Sequence, residues 1–564
     1  MKRIGILLVV FMLLLGMLVL GDVSYSYVSE YGPAIVNWGN NVKYGGTLRI
    51  INPGGPLQPT WNPFGLNLSP TNFIYETLFY INSNGDLTYL LATSYRWINN
   101  NLSLVITVRE GVKWSDGQPF TPEDVAFSFN YLKEHPSIDL NGIWAPSNDL
   151  ESVSATENEV LFKFSRPNLS IFELIASEPI IPEHIWSTID DPSKFLDQNP
   201  IGTGPFILQS FDQTTNTVTY VKNSNYWMPG RPYVDKVIFT SVNSNNSCVL
   251  ELLKHNSDMA NLFIPDVQNT YLSKDPSNNK IWWPVLGNNY LLLNDAKYPF
   301  NIPEFRKALS LAINRKQIID FLYSGNILDY DNPTLITYPQ RSWLDPVLTS
   351  LASSEITYNP QKAQEMLESI GFKKNAQGFL TDPEGKVLPS YTISVVSGWT
   401  DWIQGANILA QEFKAIGLNV EVRQESFGLW YSSLQMGTFD MSIRWTTSGP
   451  TPYYAYYYAL ASNQTAPIGQ AAFSNFSRYT NPIIDSALEI FNSTNNPRLQ
   501  EQAIYVIERI MLDDLPVIAF LPTPTWDVYQ TSTLTGFPDS NYPYGYSLNT
   551  EAVFPIIALN VHLK

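Results

Sequence analysis

The sequence predicts an α/β protein built from two regions of strand-helix alternation that meet near residue 285. Three observations lead there. Apolar and polar residues alternate over short runs bounded by glycine, proline or asparagine, as in Thr47 to Ile51, Leu104 to Phe120 and Tyr391 to Val396, which marks half-buried strands. Other runs, such as Phe305 to Leu322, repeat their apolar residues three and four apart and read as helices. Finally, 564 residues are too many for one hydrophobic core, so two or three lobes are expected.

The first segment is an address. Lys2 and Arg3 precede an apolar run from Ile4 to Leu20, and small residues follow at Ser24 and Ser26. That order is a secretory signal peptide, residues 1–26, to be cut near Ser26; the competing reading is an uncleaved membrane anchor. Leu18-Val19-Leu20-Gly21 is followed by Asp22 where a lipidated cysteine would stand, so no lipid anchor is expected and the product is exported to a periplasm or cell surface. After it, Tyr44 to Ile51 reads as a strand. A proline- and glycine-rich loop from Asn52 to Pro70 carries Trp61-Asn62-Pro63-Phe64, and Asn72 to Tyr80 has helical spacing.

Leu104 to Phe120 alternates around an Asp116-Gly117 turn, with Trp114 expected beneath its own hairpin. Thr121 then caps a helix with Pro122 at its first position and Glu123 and Asp124 in its first turn, where the helix dipole favours acids. Gly202 to Tyr226 is a second hairpin, and Tyr290 to Asn294 a short buried strand. The helix at Phe305 to Leu322 is followed by one from Pro360 to Ile370, stopped at Gly371. Ser390 to Val396, Ile403 to Ile416 and Asn419 to Arg423 read as strand, helix and strand, the β-α-β pattern of a mixed sheet. A strand at Phe439 to Arg444 and helices at Pro482 to Phe491 and Pro497 to Leu512 complete the series.

Composition removes several functions. A net charge of −17 argues against nucleic acid, whose phosphates demand the opposite sign. The lone cysteine, Cys248, cannot form an intramolecular disulfide. His135, His184, His255 and His562 are not at metal-ligand spacing, and there is no nucleophile elbow, phosphate loop or dinucleotide fingerprint. No cofactor, metal or enzymatic activity is expected. A secreted glycosidase stays open as a minor alternative, because its paired carboxylates need no sequence spacing.

Five ordered blocks together resemble the extracellular solute-binding proteins of the dipeptide and oligopeptide type, family 5, which serve ABC importers. They are Val108 to Phe129 (VREGVKWSDGQPFTPEDVAFSF), Gly202 to Phe206, Asn225 to Trp227, Phe305 to Leu309 and Phe439 to Met441. The resemblance implies a two-lobed, periplasmic-binding-protein-like fold of the large type II, cluster C kind, hinged between lobes. It places the first lobe at 27–286, with a subdomain at about 71–195 and a return at 524–564, and the second lobe at 287–523. It also implies a monomer that hands its ligand to permease subunits at the membrane.

Peptide-binding members resemble one another in an acid shortly after a tryptophan beyond the Phe-Asp-Met block. Here Trp445 is followed by Thr446, Thr447, Ser448, Gly449 and Pro450, so the counter-charge for a peptide ammonium is missing from that stretch. What remains is aromatic and hydroxylic: Trp61 and Asn62 in the first lobe, and Trp399, Thr400, Asp401, Trp402, Trp445, Ser448, Tyr453 and Tyr454 in the second. Those segments look like the branch that binds β-linked oligosaccharides such as cellobiose. An indole covers the apolar face of a pyranose while hydroxyls and amides meet its rim. The alternative is a peptide, with Asp401 as ammonium partner.

Overall fold

In the computed structural model, residues 28–564 are described apart from 40–41, 66–69, 324–326, 328–332, 350–356, 448 and 548–549. The expected signal peptide and Ser448 lie outside the described residues. Two mixed sheets organise the chain. The first has seven strands in the order Phe206–Asp212, Thr217–Lys222, Lys236–Ser241, Thr47–Asn52, Met259–Asn261, Asp527–Gln530 and Asn279–Trp282. The second has five, in the order Val420–Glu425, Tyr391–Val396, Met441–Trp445, Val285–Leu293 and Val517–Pro524. Each sheet carries its own apolar core, so the molecule has two lobes.

The strand directions decide where the lobes meet. Lys236–Ser241 and Met259–Asn261 run parallel to Thr47–Asn52. In the second sheet, Val420–Glu425 and Met441–Trp445 run parallel to Tyr391–Val396. The chain crosses between sheets twice, from Trp282 to Val285 and from Pro524 to Asp527, and both crossings leave from the edge where these parallel strands end. The carboxyl ends of the two sheets therefore face one another, the place where open α/β sheets collect ligands. The crossings are tied together, since Thr525 donates its hydroxyl to the Trp282 carbonyl (2.6 Å) and its N–H to that of Pro284 (3.2 Å).

A four-stranded antiparallel sheet (Ala92–Ile98, Ser103–Val108, Glu159–Phe164, Leu150–Ala155) forms a further layer of the first lobe. The helix Pro122–Glu134 packs on it and begins at Thr121, whose N–H is accepted by Asp124 at 2.9 Å. Trp114 is fully buried and gives its indole N–H to the same carboxylate (3.3 Å), while Asp116 accepts from the Gln118 N–H across the turn (3.0 Å). This signature block is scaffold.

Two local expectations fail. The segment Asn72 to Tyr80 forms a short 3-10 turn at Thr71–Phe73 and then a strand, Phe79–Ile81, paired antiparallel with Leu87–Tyr89; pairing overrides its helical spacing. The helix expected from Phe305 to Leu322 is two, Pro303–Ala312 and Arg315–Tyr323. Ile313 is extended between them, and Asn314 starts the second by accepting the Gln317 N–H (3.1 Å).

Several carboxyls are buried or half-buried where loss of water outweighs any nearby cation. Removal from water pushes Glu76, Glu178, Glu412, Glu508 and Asp527 up to about 7 and Glu173 up to about 8. Each favours the protonated form in the folded state, so its stabilisation is complete below the ordinary value (4.5 for the glutamates, 3.8 for Asp527) and is lost as pH rises through the folded value. The melting temperature should therefore fall by roughly 5 °C or more between pH 5 and pH 8. A calorimetric profile that is flat or rising over that interval would remove this account of the interior.

Candidate functional site at the gap between the lobes

The carboxyl edge of the second sheet ends in three aromatic-bearing segments. After Tyr391–Val396 comes Gly398-Trp399 and the helix Thr400–Ala415; after Val420–Glu425 comes the helix Phe427–Met436; Met441–Trp445 ends on Trp445 itself. The helix at 400 starts three residues earlier than the apolar spacing suggests, so Thr400, Asp401 and Trp402 make its first turn. Four indoles meet here. Trp399 lies edge-on to Trp402 at 4.8 Å and 6.1 Å from Trp445, and Trp402 is 5.6 Å from Trp430. Trp430 is fully buried and donates to Ser442 (2.8 Å), which donates in turn to the Ser394 carbonyl (2.8 Å). Trp399 and Trp445 are only half-buried, so the cluster has an anchored back and a partly exposed front, where the Arg444 guanidinium stands 4.9 Å from the Trp445 ring.

The other expected contacts are distributed differently. Trp61 is 4% exposed in the core of the first lobe, edge-on to Phe211 at 5.8 Å, and does not front the gap. Asn62 is equally buried and donates its amide to the carbonyls of Pro192 (2.8 Å) and Phe195 (3.0 Å), pinning its loop to that later segment of the same lobe. Trp402 is 3% exposed behind the other indoles, so it supports the front without joining it. Asp401 is buried at the helix start, where the N–H groups of the first turn face its carboxyl; burial still pushes it up to about 6. It is not a free ammonium partner.

Thr400, Tyr453 and Tyr454 belong to contacts that hold the lobes together or pack one of them. Asn245 of the first lobe donates its amide to the Thr400 hydroxyl at 3.3 Å. Nearby, Gly398 runs so close that a methyl carbon there would stand 3.0 Å from the Asn243 carbonyl oxygen, and its φ of +87° also favours glycine. On the other flank, the tyrosine-rich helix Tyr453–Leu460 lies against the first lobe. Tyr454 donates to the Ser170 carbonyl (2.9 Å), the hydroxyls of Tyr457 and Ser147 are 3.2 Å apart, and Arg166 pairs with Glu489 at 2.9 Å. Tyr453 packs within its own lobe on Phe491 (5.3 Å) and accepts from Asn492 (2.6 Å). Tyr454 and Tyr457 thus act as a clasp between the lobes.

Sequence reasoning passed over Glu173. It sits on the short helix Ile171–Ser177, among Phe172, Leu174 and Ile175, and an acid in so apolar a run was the available signal. Its side chain reaches the second lobe at Gly449. A cavity of about 190 Å³ opens beside it, walled by Glu76, Tyr80, Asn82 and Ser177 and roofed by Gly449 and Pro450.

Comparison with known proteins gives this geometry its setting. Residues 86–467 match the model for bacterial extracellular solute-binding proteins, family 5, and the chain belongs to that family. The glutathione-binding protein GsiB of Escherichia coli K12 is 23% identical over 479 residues, covering 83% of this chain and 88% of that protein. A periplasmic oligopeptide-binding protein of an ABC transporter from Thermotoga maritima superposes with a TM-score of 0.83 at 27% identity, covering 92% of this chain and 99% of that one. The same kind of protein from Thermotoga maritima, solved with mannohexaose bound, gives 0.81 at 26% identity, covering 93% and 99%. The chain is thus an extracellular solute-binding protein of an ABC importer, in a family of binding proteins.

The clasp has a measurable consequence. Tyr454→Phe removes the inter-lobe hydrogen bond to the Ser170 carbonyl, which keeps only the Glu173 N–H (3.2 Å), at a cost of about 1 kcal/mol, and Arg166→Ala removes a second contact. The double variant should show a larger radius of gyration in small-angle X-ray scattering, with its far-ultraviolet dichroism unchanged. An identical scattering profile would show that these contacts do not hold the lobes together.

Proposed function

We propose that this protein captures an oligosaccharide, β-linked and cellobiose-like, in the gap between its lobes and delivers it as a monomer to the permease of its importer. The observation that carries the reading is the pair Trp399 and Trp445: half-buried indoles at the carboxyl edge of the second sheet, fixed from behind by Trp402 and Trp430. A pyranose offers such a surface its C–H face, while its hydroxyl rim meets amides and hydroxyls. If each stacked sugar buries on the order of 60 Å² of apolar area, it contributes roughly 1.5 kcal/mol at ~25 cal/mol per Å². Two such platforms supply roughly 3 kcal/mol of the roughly 8 kcal/mol that micromolar affinity needs, so hydrogen bonds to the rim must supply the larger share and offset the cost of ordering.

Closure couples binding to transport. A ligand touching both lobes adds its contacts to the Asn245–Thr400 and Tyr454–Ser170 clasps and so favours the closed form, which a permease can distinguish from the open one. A short peptide is the second reading. It is favoured by the Glu173 carboxyl in the gap and by the name of the glutathione-binding relative.

Titration of the purified protein with cello-, manno- and xylo-oligosaccharides, against mixed di- to pentapeptides, separates the two by tryptophan emission. A saturable response to a glycan is expected; response to peptides alone would end the carbohydrate reading. Trp399→Ala should weaken glycan binding about tenfold. Its melting temperature should fall less than that of Trp402→Ala, whose indole is sealed in the core. Equal thermal losses with no change in affinity would place Trp399 among the packing residues.

A further inference from the structure

The segment from Thr446 to Pro452 contains no acid, yet a carboxylate stands against it, supplied by the opposite lobe. Gly449 and Pro450 form a wedge driven into the first lobe. A methyl carbon at Gly449 would lie 2.8 Å from Oε2 of Glu173, and one at Gly85 would lie 2.8 Å from Cβ of Pro450. Two glycines, one on each lobe, make room for this approach. Gly449 has no positive φ, so it is the nearness of the carboxylate that excludes a side chain there.

Glu173 has an uncommon situation. It is the carboxyl at the seam between wedge and cavity, and no hydrogen bond or ion pair among the described residues reaches its oxygens. Its neighbours from the second lobe are the phenols of Tyr453, Tyr454 and Tyr458, and among the described residues no cation pairs with it. The companion acid in the same cavity, Glu76, is satisfied by contrast: Tyr226 donates its hydroxyl (2.8 Å) and Trp227 its indole N–H (2.9 Å). One carboxyl is thus fastened into the scaffold and the other is left with its lone pairs unused. Glu173 is only half-buried, so its free oxygens stay open to the cavity and to a donor that enters it.

We propose that Glu173, with the cavity roofed by Gly449 and Pro450, is a subsite for a primary ammonium group on the ligand. The assignment rests on reading the gap as the solute site. It narrows the ligand to one whose end carries an amine, and the chemistry is shared by two sources: an amino sugar in an oligosaccharide and the N-terminus of a peptide. The ammonium donates to the Glu173 carboxylate as the wedge closes over it. Because partial removal from water pushes that carboxyl up to about 8, pairing it with an ammonium also releases a proton.

The test is a ratio of affinities in wild-type protein, Glu173→Gln and Gly449→Ala, by calorimetry in two buffers of different ionisation enthalpy. The probes are a β-1,4-glucosamine tetramer, its fully N-acetylated counterpart, cellotetraose, and a tetrapeptide with and without N-terminal acetylation. The wild type should prefer the free amine over its acetylated match at least tenfold, with proton release. That preference should shrink to within about twofold in Glu173→Gln, and also in Gly449→Ala, where the new methyl displaces the carboxylate. Preference for the free-amine tetramer assigns the ammonium to an amino sugar; preference confined to the free peptide assigns it to an α-amino group and ends the carbohydrate reading while keeping the subsite. No preference for either amine, or one that survives Glu173→Gln, overturns the subsite even if cellotetraose binds well.

Discussion

The two crossings between the sheets constrain everything else in this molecule. Both leave from the edge where the parallel strands end, and Thr525 ties one to the other through the carbonyls of Trp282 and Pro284. Polypeptide that leaves both sheets from their carboxyl edges must set those edges face to face. The loops that follow them, at Asn52, Ser241 and Asn261 on one side and at Val396, Glu425 and Trp445 on the other, then share one gap whatever their sequences are. Phe263 of the first lobe, Tyr323 of the second and Trp526 of the crossing pack as a common aromatic pivot, with ring centroids 5.3 to 6.2 Å apart. A pivot made of rings can turn without opening a polar wound, which suits a hinge.

Much of the scaffold could be read from the residues, because the signals were local. Asp116-Gly117 fixes a turn, Thr121-Pro122 starts a helix, Gly371 and Gly417 end two more, and each works within a few residues of chain. Asn72 to Tyr80 misled because its spacing suited a helix, while its fate was decided by Leu87–Tyr89, a strand it could pair with. The break at Ile313 had the same origin, since Asn314 is held by Glu412 from another helix (3.0 Å).

The site was less legible, for a physical reason. A tryptophan in a loop looks the same whether its indole faces a gap or a core, and only packing separates Trp399 from Trp61. The polar loop chemistry around Gly398-Trp399 pointed to an indole that is half-buried at the carboxyl edge of the second sheet, while Trp61-Asn62 pointed to a loop that closes on Pro192 and Phe195. Glu173 was harder still to read, since an acid in an apolar run was its one local signal. Its meaning depends on Gly449, a residue of the other lobe whose smallness is informative only once the two are seen in contact.

The first lobe is discontinuous, and its last pieces come late. The strand Asp527–Gln530 sits inside its sheet, and the helix Thr550–Asn560 supplies Phe554, Ile557 and Leu559 to its core. Asn560 clamps the early strand Gly32–Val36 by donating to the Ala34 carbonyl and accepting from the Val36 N–H, both at 2.8 Å. The second sheet, in contrast, draws on one unbroken stretch from Val285 to Pro524. During synthesis or translocation, that middle stretch can therefore assemble while the earlier residues still wait for their C-terminal partners. The order of emergence thus leaves the binding gap unfinished until the end of the chain arrives.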